Sequence, residues 1–598
     1  MFSVIKRAAF RRVYPSSVAT LGQRYASNRA TSHRRLRLPI SGGMLVLVGV
    51  GLGAGAVSPL LTEQAIQADS DIPQTQKLGS GKHRSGSQLE PDSASLGSLI
   101  RAYIVYSMCS FPTLIDAAPK LLDVLMGIPV VRNVTEAFVR VTFFDQFVGG
   151  DTAQETLWLL HKLRAGNKGT LFAYSIEVDE SGSSKKKGPP VYKRCVNEMI
   201  RSIDVAADFE DGLVGSESQT GRRTWVAIKM TALLPDAQSL IALSSHIVAT
   251  RPQHQPPVPF PGCPRPSDLS IILDEQEPNS KFLTDQDIAS LRELYSDLRR
   301  ISIRAKERGV KLIIDAEYSW YQPAVDAIQL ALMREFNKNS SQGDKSSSTP
   351  AVQPLIYGTF QAYLRRTPLH LAQSYRDAQE NNYALGVKLV RGAYHTHEIA
   401  AYGQSNSLSI SPDSIPPVWM SKNDTDKCYD ECVKMLIGWV KDDVSSSRPT
   451  GSGWFGMSSK TRGAAPVQPK VGALFGTHNR SSVKLVLNEL ISSGLASTTA
   501  LDREDGAGEA VLRLDAEVAE RITFGQLFGM CDSLTDYIVR RTVSNSPMVI
   551  KYVPYGALSE TMPYLSRRAI ENKSVLGEGQ AVEERKRAGR EIWAKLFG

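Results

Sequence analysis

Near the C-terminus the run Tyr564–Asn572, YLSRRAIEN, sets two guanidinium groups side by side. On a helix Tyr564, Arg567, Arg568 and Glu571 fall at i, i+3, i+4 and i+7, all on one face. In water such a face is an ion-pair ladder worth only about 0.2–0.5 kcal/mol per pair. Two adjacent guanidiniums repel one another unless an anion joins them, and their planar forks match a carboxylate bidentately. A second cationic stretch, KLVRGAYHTHE (Lys388–Glu398), places Lys388 and Arg391 before a small-residue bend. Fixed cations there either reach solvent or stabilise an anionic cofactor or transition state. IIDAE (Ile313–Glu317) offers two carboxylates, Asp315 and Glu317, on one face by the period of two; their first role is to balance nearby cations. FGTHN (Phe475–Asn479) puts His478 at the end of another apolar run, where hydrogen-bonded structural and catalytic roles are both open.

His395 and His397 invite a metal reading, because His-x-His on an extended strand points both rings to one face. The chain lacks H-E-x-x-H and supplies no third ligand motif. A metal-dependent barrel hydrolase using His395, His397, His478 and Asp315 is therefore the weaker alternative, and the expected metal set is none.

These residues need a scaffold that gathers them. Eight short apolar runs read as strands: 169–177, 225–233, 310–317, 354–363, 386–394, 471–479, 521–530 and 548–556. Each is followed by a helix-length amphipathic segment, such as RSSVKLVLNELISSG. Alternation of this kind predicts a parallel sheet covered on both faces. Eight units predict a closed (β/α)8 barrel, somewhat distorted, and polar residues cluster at the strand C-terminal ends: Lys229, Asp315, Glu317, Gln361, Arg391, His478, Asn479 and Tyr552. That is the catalytic rim of such a barrel, whereas an open doubly wound sheet would concentrate ligand residues at one switch point.

Net charge is +9 over 598 residues, but nine of the Lys/Arg residues lie in positions 1–37, before the first acidic residue, Glu63. The remainder is neutral, which excludes a phosphate-backbone footprint and hence a nucleic-acid partner. Residues 1–37, rich in Arg, Ser and Ala, read as a mitochondrial transit peptide. Residues 38–61 are uncharged and long enough to span a bilayer, an expected inner-membrane anchor. Their glycines do not follow G-x-G-x-x-G. Residues 62–95 read as a linker, 96–168 as a helical N-terminal segment, and 169–598 as the barrel. Six cysteines show no C-x-x-C spacing and are expected as free thiols. Low-complexity insertions at 180–190, 251–266, 337–353 and 445–470 lack core-forming residues and are expected as mobile surface loops.

Taken in order, AIKMTAL, IIDAE, FQAY, KLVRGAY, GTHN, FGQLFGM and YVPYG…YLSRRAIEN resemble the proline dehydrogenase (proline oxidase) family from about residue 100 onward. The resemblance implies an FAD-dependent, distorted (β/α)8 barrel that oxidises L-proline to Δ1-pyrroline-5-carboxylate and passes electrons to ubiquinone at the matrix side of the inner mitochondrial membrane. It implies that Lys229, Arg567 and Arg568 bind the substrate carboxylate. Tyr552, Tyr564 and Leu527 wall the ring, with Ala393 and Tyr394 close by, and Asp315 and Glu571 orient the cations. The catalytic set on this reading is Lys229, Asp315, Tyr552, Arg567 and Arg568. The flavin would contact Asp315, Gln361, Lys388, Gly392, Ala393, His395, Lys422, Thr477, His478, Asn479 and Gln526. Lys388 stands where bacterial relatives often have Arg, and His395 where they often have an aromatic residue. Tyr552 occupies a position that tends to be smaller in hydroxyproline-oxidising relatives, which favours proline over a hydroxyproline dehydrogenase. With 27 residues after Glu571, no fused aldehyde dehydrogenase is expected, and the product would pass to a separate pyrroline-5-carboxylate dehydrogenase.

Overall fold

The computed structural model describes residues 94–175, 190–214, 220–252, 257–274, 280–339, 354–402, 408–447, 470–499, 510–574 and 580–597. The expected transit peptide, the apolar run 38–61 and nearly all of the linker lie outside the described residues, as do large parts of the insertions.

Eight parallel strands close a barrel: β1 (Lys168–Tyr174), β2 (Thr224–Ile228), β3 (Leu312–Ile314), β4 (Ile356–Gln361), β5 (Leu385–Val390), β6 (Val471–Gly476), β7 (Ile522–Leu527) and β8 (Val549–Tyr555). They follow one another in chain order around the barrel, and β8 pairs with β1 from Lys168↔Val549 to Tyr174↔Tyr555. All eight lie within the apolar runs read from the sequence, give or take a terminal residue. Their residues are almost continuously buried, because the interior and the helical layer each cover one face. Inward-facing side chains include Leu171, Trp225, Ile313, Tyr357, Leu474, Ile550 and Tyr552; outward ones such as Phe172, Val226 and Val387 join the larger core under the helices. At the strand N-terminal ends the Lys311 ammonium sits 5.0 Å from the Trp225 ring and 5.8 Å from that of Tyr357, closing the floor. Burial pushes Lys311 down to about 8, with the Glu520 carboxylate acting against that fall.

Between β6 and β8 the chain adds a small sheet that the sequence reading lacked. Val511–Leu514 pairs antiparallel with Ala496–Thr499 and parallel with Thr542–Val543. The segment 257–266 also departs from expectation: Phe260 and Cys263 are buried, Arg366 donates to the Gly262 carbonyl, and the Phe260 amide donates to Asp413. A proline-rich stretch with two apolar anchors and paired backbone groups is held down.

Helices Leu96–Cys109, Pro112–Met126 and Pro129–Val139, continued by a π-turn at Arg140–Phe144, precede the barrel. Val105, Cys109, Ile115, Val139 and Phe144 form a separate core with Leu558, Tyr564, Leu565 and Ala569. Their partner is the helix Leu558–Ser574, which carries YLSRRAIEN. The last helix, Gln580–Phe597, packs along Leu96–Cys109.

Candidate active site

Strand ends bring the predicted residues together at the C-terminal mouth. Asp315 immediately follows β3, Lys388 lies within β5, and Tyr552 points inward from β8. Lys388 Nζ is 2.5 Å from Asp315 Oδ1, and Tyr552 Oη donates to Asp315 Oδ2 at 3.0 Å. The same ammonium lies 5.3 Å from the Tyr552 ring centroid. One carboxylate thus fixes a cation and a phenol against each other. Burial, and then the Asp315 charge, push the Tyr552 hydroxyl far above its usual range, so it stays protonated.

Lys229 precedes the turn Met230–Leu233 after β2. Glu317 ties that turn down, accepting from the Thr231 amide at 3.3 Å and hydroxyl at 2.6 Å. Burial pushes the Glu317 carboxyl up, with the Thr231 hydroxyl and then the Lys229 charge opposing it.

The helix Leu558–Ser574 supplies the two guanidiniums. Arg568 is 6% exposed, bonded to Glu571 at 2.5 Å and set 5.0 Å from the Tyr564 ring. Arg567 donates to the Tyr394 hydroxyl at 3.2 Å. Tyr564 is buried, Leu527 at the end of β7 packs in the same cluster, and Ala393 is exposed beside Tyr394. The i, i+3, i+4, i+7 face read from the sequence is therefore a packed face, turned toward aromatic rings.

On the other side of the mouth, Arg391 bridges Asp426 (2.7 Å), Thr477 Oγ1 (3.0 Å) and Ser482 Oγ (2.8 Å). Asn479 caps the helix Arg480–Ser492, accepting from the amides of Ser481 and Ser482. His478 Nε2 accepts from the Leu527 amide at 2.9 Å, which assigns the ring proton of neutral His478 to Nδ1. Burial, then the charges of Lys551 and Arg568, push His478 down to about 3. It is neutral at physiological pH and a poor general base.

Gln361 donates to the Glu317 carbonyl at 3.0 Å and the Tyr363 hydroxyl at 3.1 Å, while its Oε1 is buried without a donor. Gly392 holds φ +119°, and a Cβ there would lie 2.7 Å from the Tyr363 ring. Lys422 is more exposed, 2.8 Å from Asp426. Gln526 spends both ends of its amide inside the protein, donating to the Thr477 carbonyl and accepting from Thr535.

The histidine pair lacks the extended geometry that a metal reading would need. His395 and His397 lie on the helix His395–Ala401, not on a strand, because the backbone turns at Gly392. Two positions apart on a helix, their rings diverge. His395 Nε2 meets the Trp419 carbonyl at 2.7 Å, and His397 Nδ1 meets the Tyr318 hydroxyl at 2.9 Å. Among the described residues no group of three or more His, Cys, Asp or Glu side chains could hold a metal ion.

Lys551 was missed. It is buried on the outward face of β8, 3.0 Å from each of the Met530 carbonyl, Asp532 and Thr535. Its only sequence signal is a lysine inside an apolar strand run.

A closed parallel barrel whose mouth collects a lysine–aspartate–tyrosine triad, paired arginines and two further tyrosines, Tyr394 and Tyr564, has the architecture on which enzymes build their sites. Residues 165–580 match the model of the family described as proline dehydrogenase. The chain is 25% identical over 521 residues to proline dehydrogenase 1, mitochondrial, of Dictyostelium discoideum, covering 85% of this chain and 75% of that one. It is 26% identical over 504 residues to hydroxyproline dehydrogenase of Rattus norvegicus, covering 84% and 91%. Among solved structures, proline utilization A from Bdellovibrio bacteriovorus inactivated by N-propargylglycine aligns with a TM-score of 0.49 at 17% identity. That alignment covers 83% of this chain and 39% of the other. The chain belongs to the proline dehydrogenase family and is an oxidoreductase of that class.

Proposed function

We propose that the protein is an FAD-dependent mitochondrial proline dehydrogenase that oxidises L-proline to Δ1-pyrroline-5-carboxylate. The observation that carries this reading is the convergence of Arg567 and Arg568 on Tyr394 and Tyr564, with Tyr552 held by Asp315 close by. Forked cations over a wall of rings suit a carboxylate attached to a small apolar ring.

The mouth fits a flavin. Gln361 Oε1, buried without a donor, offers an acceptor for the ring N–H of the isoalloxazine. At Gly392 the Tyr363 ring already lies against the bare backbone, which fixes the bend between Lys388 and Tyr394 on that rim. Lys388, Thr477, His478 and Asn479 line the same rim, with Ala393, His395 and Lys422 further out. Gln526 is the weakest member, since its amide is already spent. When bound, FAD accepts a hydride from the carbon next to the ring nitrogen, which leaves a C=N bond.

The chain's own residues bind and orient. Arg567, Arg568 and Lys229 hold the carboxylate; Tyr552, Tyr564 and Leu527 fix the ring and exclude water. Glu571 and Asp315 keep Arg568 and Lys388 in place, so the cations are set before substrate arrives.

Electrons are proposed to pass to ubiquinone, and the product to a separate pyrroline-5-carboxylate dehydrogenase. The acid-free basic N-terminus and relatives named mitochondrial support a mitochondrial location, and residence at the matrix side of the inner membrane is part of the same proposal. Among the described residues no helix is long and apolar enough to cross a membrane, and the run 38–61 lies outside them.

A visible spectrum of the purified protein tests the reading. Flavin absorption that bleaches on adding L-proline is expected; a colourless protein with bound zinc refutes it. Hydroxyproline dehydrogenases match at comparable identity and coverage, so turnover of both substrates is to be compared, with proline expected to be preferred because Tyr552 stands where hydroxyproline-oxidising relatives tend to have a smaller residue.

A further inference from the structure

Nearly half of the exposed large apolar side chains among the described residues lie in two places, the helices of 96–144 and the turn 593–597. The second is one turn long and holds Trp593 (67% exposed), Leu596 (52%) and Phe597 (70%), with the Trp593 and Phe597 rings 4.5 Å apart. Lys595 is exposed between them, and Lys586 and Arg590 are exposed further back on the same helix.

That helix runs antiparallel to Leu96–Cys109. Gly589 faces the Tyr103 ring, while Glu584 and Arg587 lie near Tyr106. At 1.5 Å per residue the Phe597 end therefore comes beside Leu96. Exposed Ile100 and Tyr103 flank the tip on the neighbouring helix.

The geometry points to this tip, Trp593, Leu596 and Phe597 with Lys586, Arg590 and Lys595, as the surface that docks the enzyme on an anionic lipid bilayer. The inference rests on the reading that the electron acceptor is dissolved in a membrane, and it names the surface that meets that membrane. Tryptophan, phenylalanine and leucine at a helix end, interleaved with lysine and arginine, are the residue set of the lipid–water interface. A protein partner of ordinary size needs a broader apolar floor than one helical turn. The rings bury in the headgroup boundary while the cations remain among anionic headgroups. The opposite side of the helix Leu96–Cys109 shares a core with Leu558–Ser574, so docking at the tip leaves the arginine-bearing helix attached to the docked layer.

The test uses the full chain and vesicles of phosphatidylcholine alone or mixed with phosphatidylglycerol. One variant combines Trp593→Ala, Leu596→Ser and Phe597→Ala; a second combines Arg590→Glu and Lys595→Glu. Wild type is expected to sediment with anionic vesicles. The first variant should partition at least about tenfold more weakly, and the second should lose the preference for anionic lipid. Both should keep wild-type turnover with a soluble dye acceptor, and circular dichroism confirms folding. If wild type and both variants bind equally, docking uses another surface and the inference falls while the membrane reading stands. If wild type binds no vesicle, the membrane reading fails and the inference with it. If wild type is a dimer that the first variant makes monomeric, a second copy covers the tip and the inference is overturned.

Discussion

Replacing Arg568 by methionine isolates the group on which the substrate reading depends. Methionine keeps most of the volume beside Tyr564 and removes the charge. A charge-assisted hydrogen bond is worth about 1.5–3 kcal/mol, and each 1.4 kcal/mol is tenfold. Loss of one such bond to a carboxylate therefore raises KM for proline about 10- to 150-fold. The upper end is expected, because Arg568 is 6% exposed and its loss leaves Glu571, 2.5 Å away, without that cation. Arg567→Met should cost less, about tenfold, since Arg567 is only partly buried and the Tyr394 hydroxyl it meets is a neutral phenol. The assay is steady-state turnover with a soluble acceptor, alongside flavin content and competition by pyrrolidine, which has the ring and lacks the carboxylate. Pyrrolidine should compete equally well in wild type and variant. Flavin loss with unchanged KM, or equal weakening of proline and pyrrolidine, would refute the assignment of the arginines to the carboxylate.

Tyr552→Phe removes the 3.0 Å bond to Asp315; a loss of about 1 kcal/mol, read as a roughly fivefold fall in kcat/KM, is expected, with the Lys388–Asp315 pair retained. Gly392→Ala forces a side chain into φ +119° and into the Tyr363 ring; a loss of about 1–3 kcal/mol should appear as a lower Tm together with reduced flavin content. His478 has a folded pKa of about 3 against an ordinary value of about 6.5. Its unfolded form takes the proton first, so its contribution to stability is present above pH ~6.5 and is lost as pH falls toward ~3. Urea unfolding of His478→Asn should show a shallower loss between those values than wild type, and identical slopes would count against it.

The barrel was legible because each strand, covered on both faces, reads as an unbroken apolar run ending in a polar residue. The rim was legible for the same reason. Asp315, Lys388 and Tyr552 lie far apart in sequence, and only closure of the barrel gives them contact. The small sheet was not legible: Ala496–Thr499 has one buried residue followed by three exposed ones, so no alternation marks it. The helix that carries His395 and His397 was not legible, because it begins just past the turn at Gly392, whose positive φ leaves no trace beyond the glycine itself. Lys551 failed to stand out because its partners, a carbonyl, an aspartate and a threonine after β7, are set by packing between β8 and the next layer.

Besides one another, the helices that precede the barrel pack against segments far along the chain. The Tyr106 hydroxyl donates to the Gly529 carbonyl across 423 positions, and Leu96–Cys109 packs along Gln580–Phe597. During synthesis the N-terminal helices leave the ribosome long before either partner exists, so their apolar faces wait exposed until those segments are made. Closing so long a loop adds only a few kcal/mol of entropy, since the cost grows with the logarithm of length. Its effect is on timing: long-range contacts form late. The helix Leu558–Ser574, which carries Arg567 and Arg568, shares a core with those helices and so is seated late. A chain cut before Leu558 retains all eight barrel strands yet lacks the paired arginines Arg567 and Arg568.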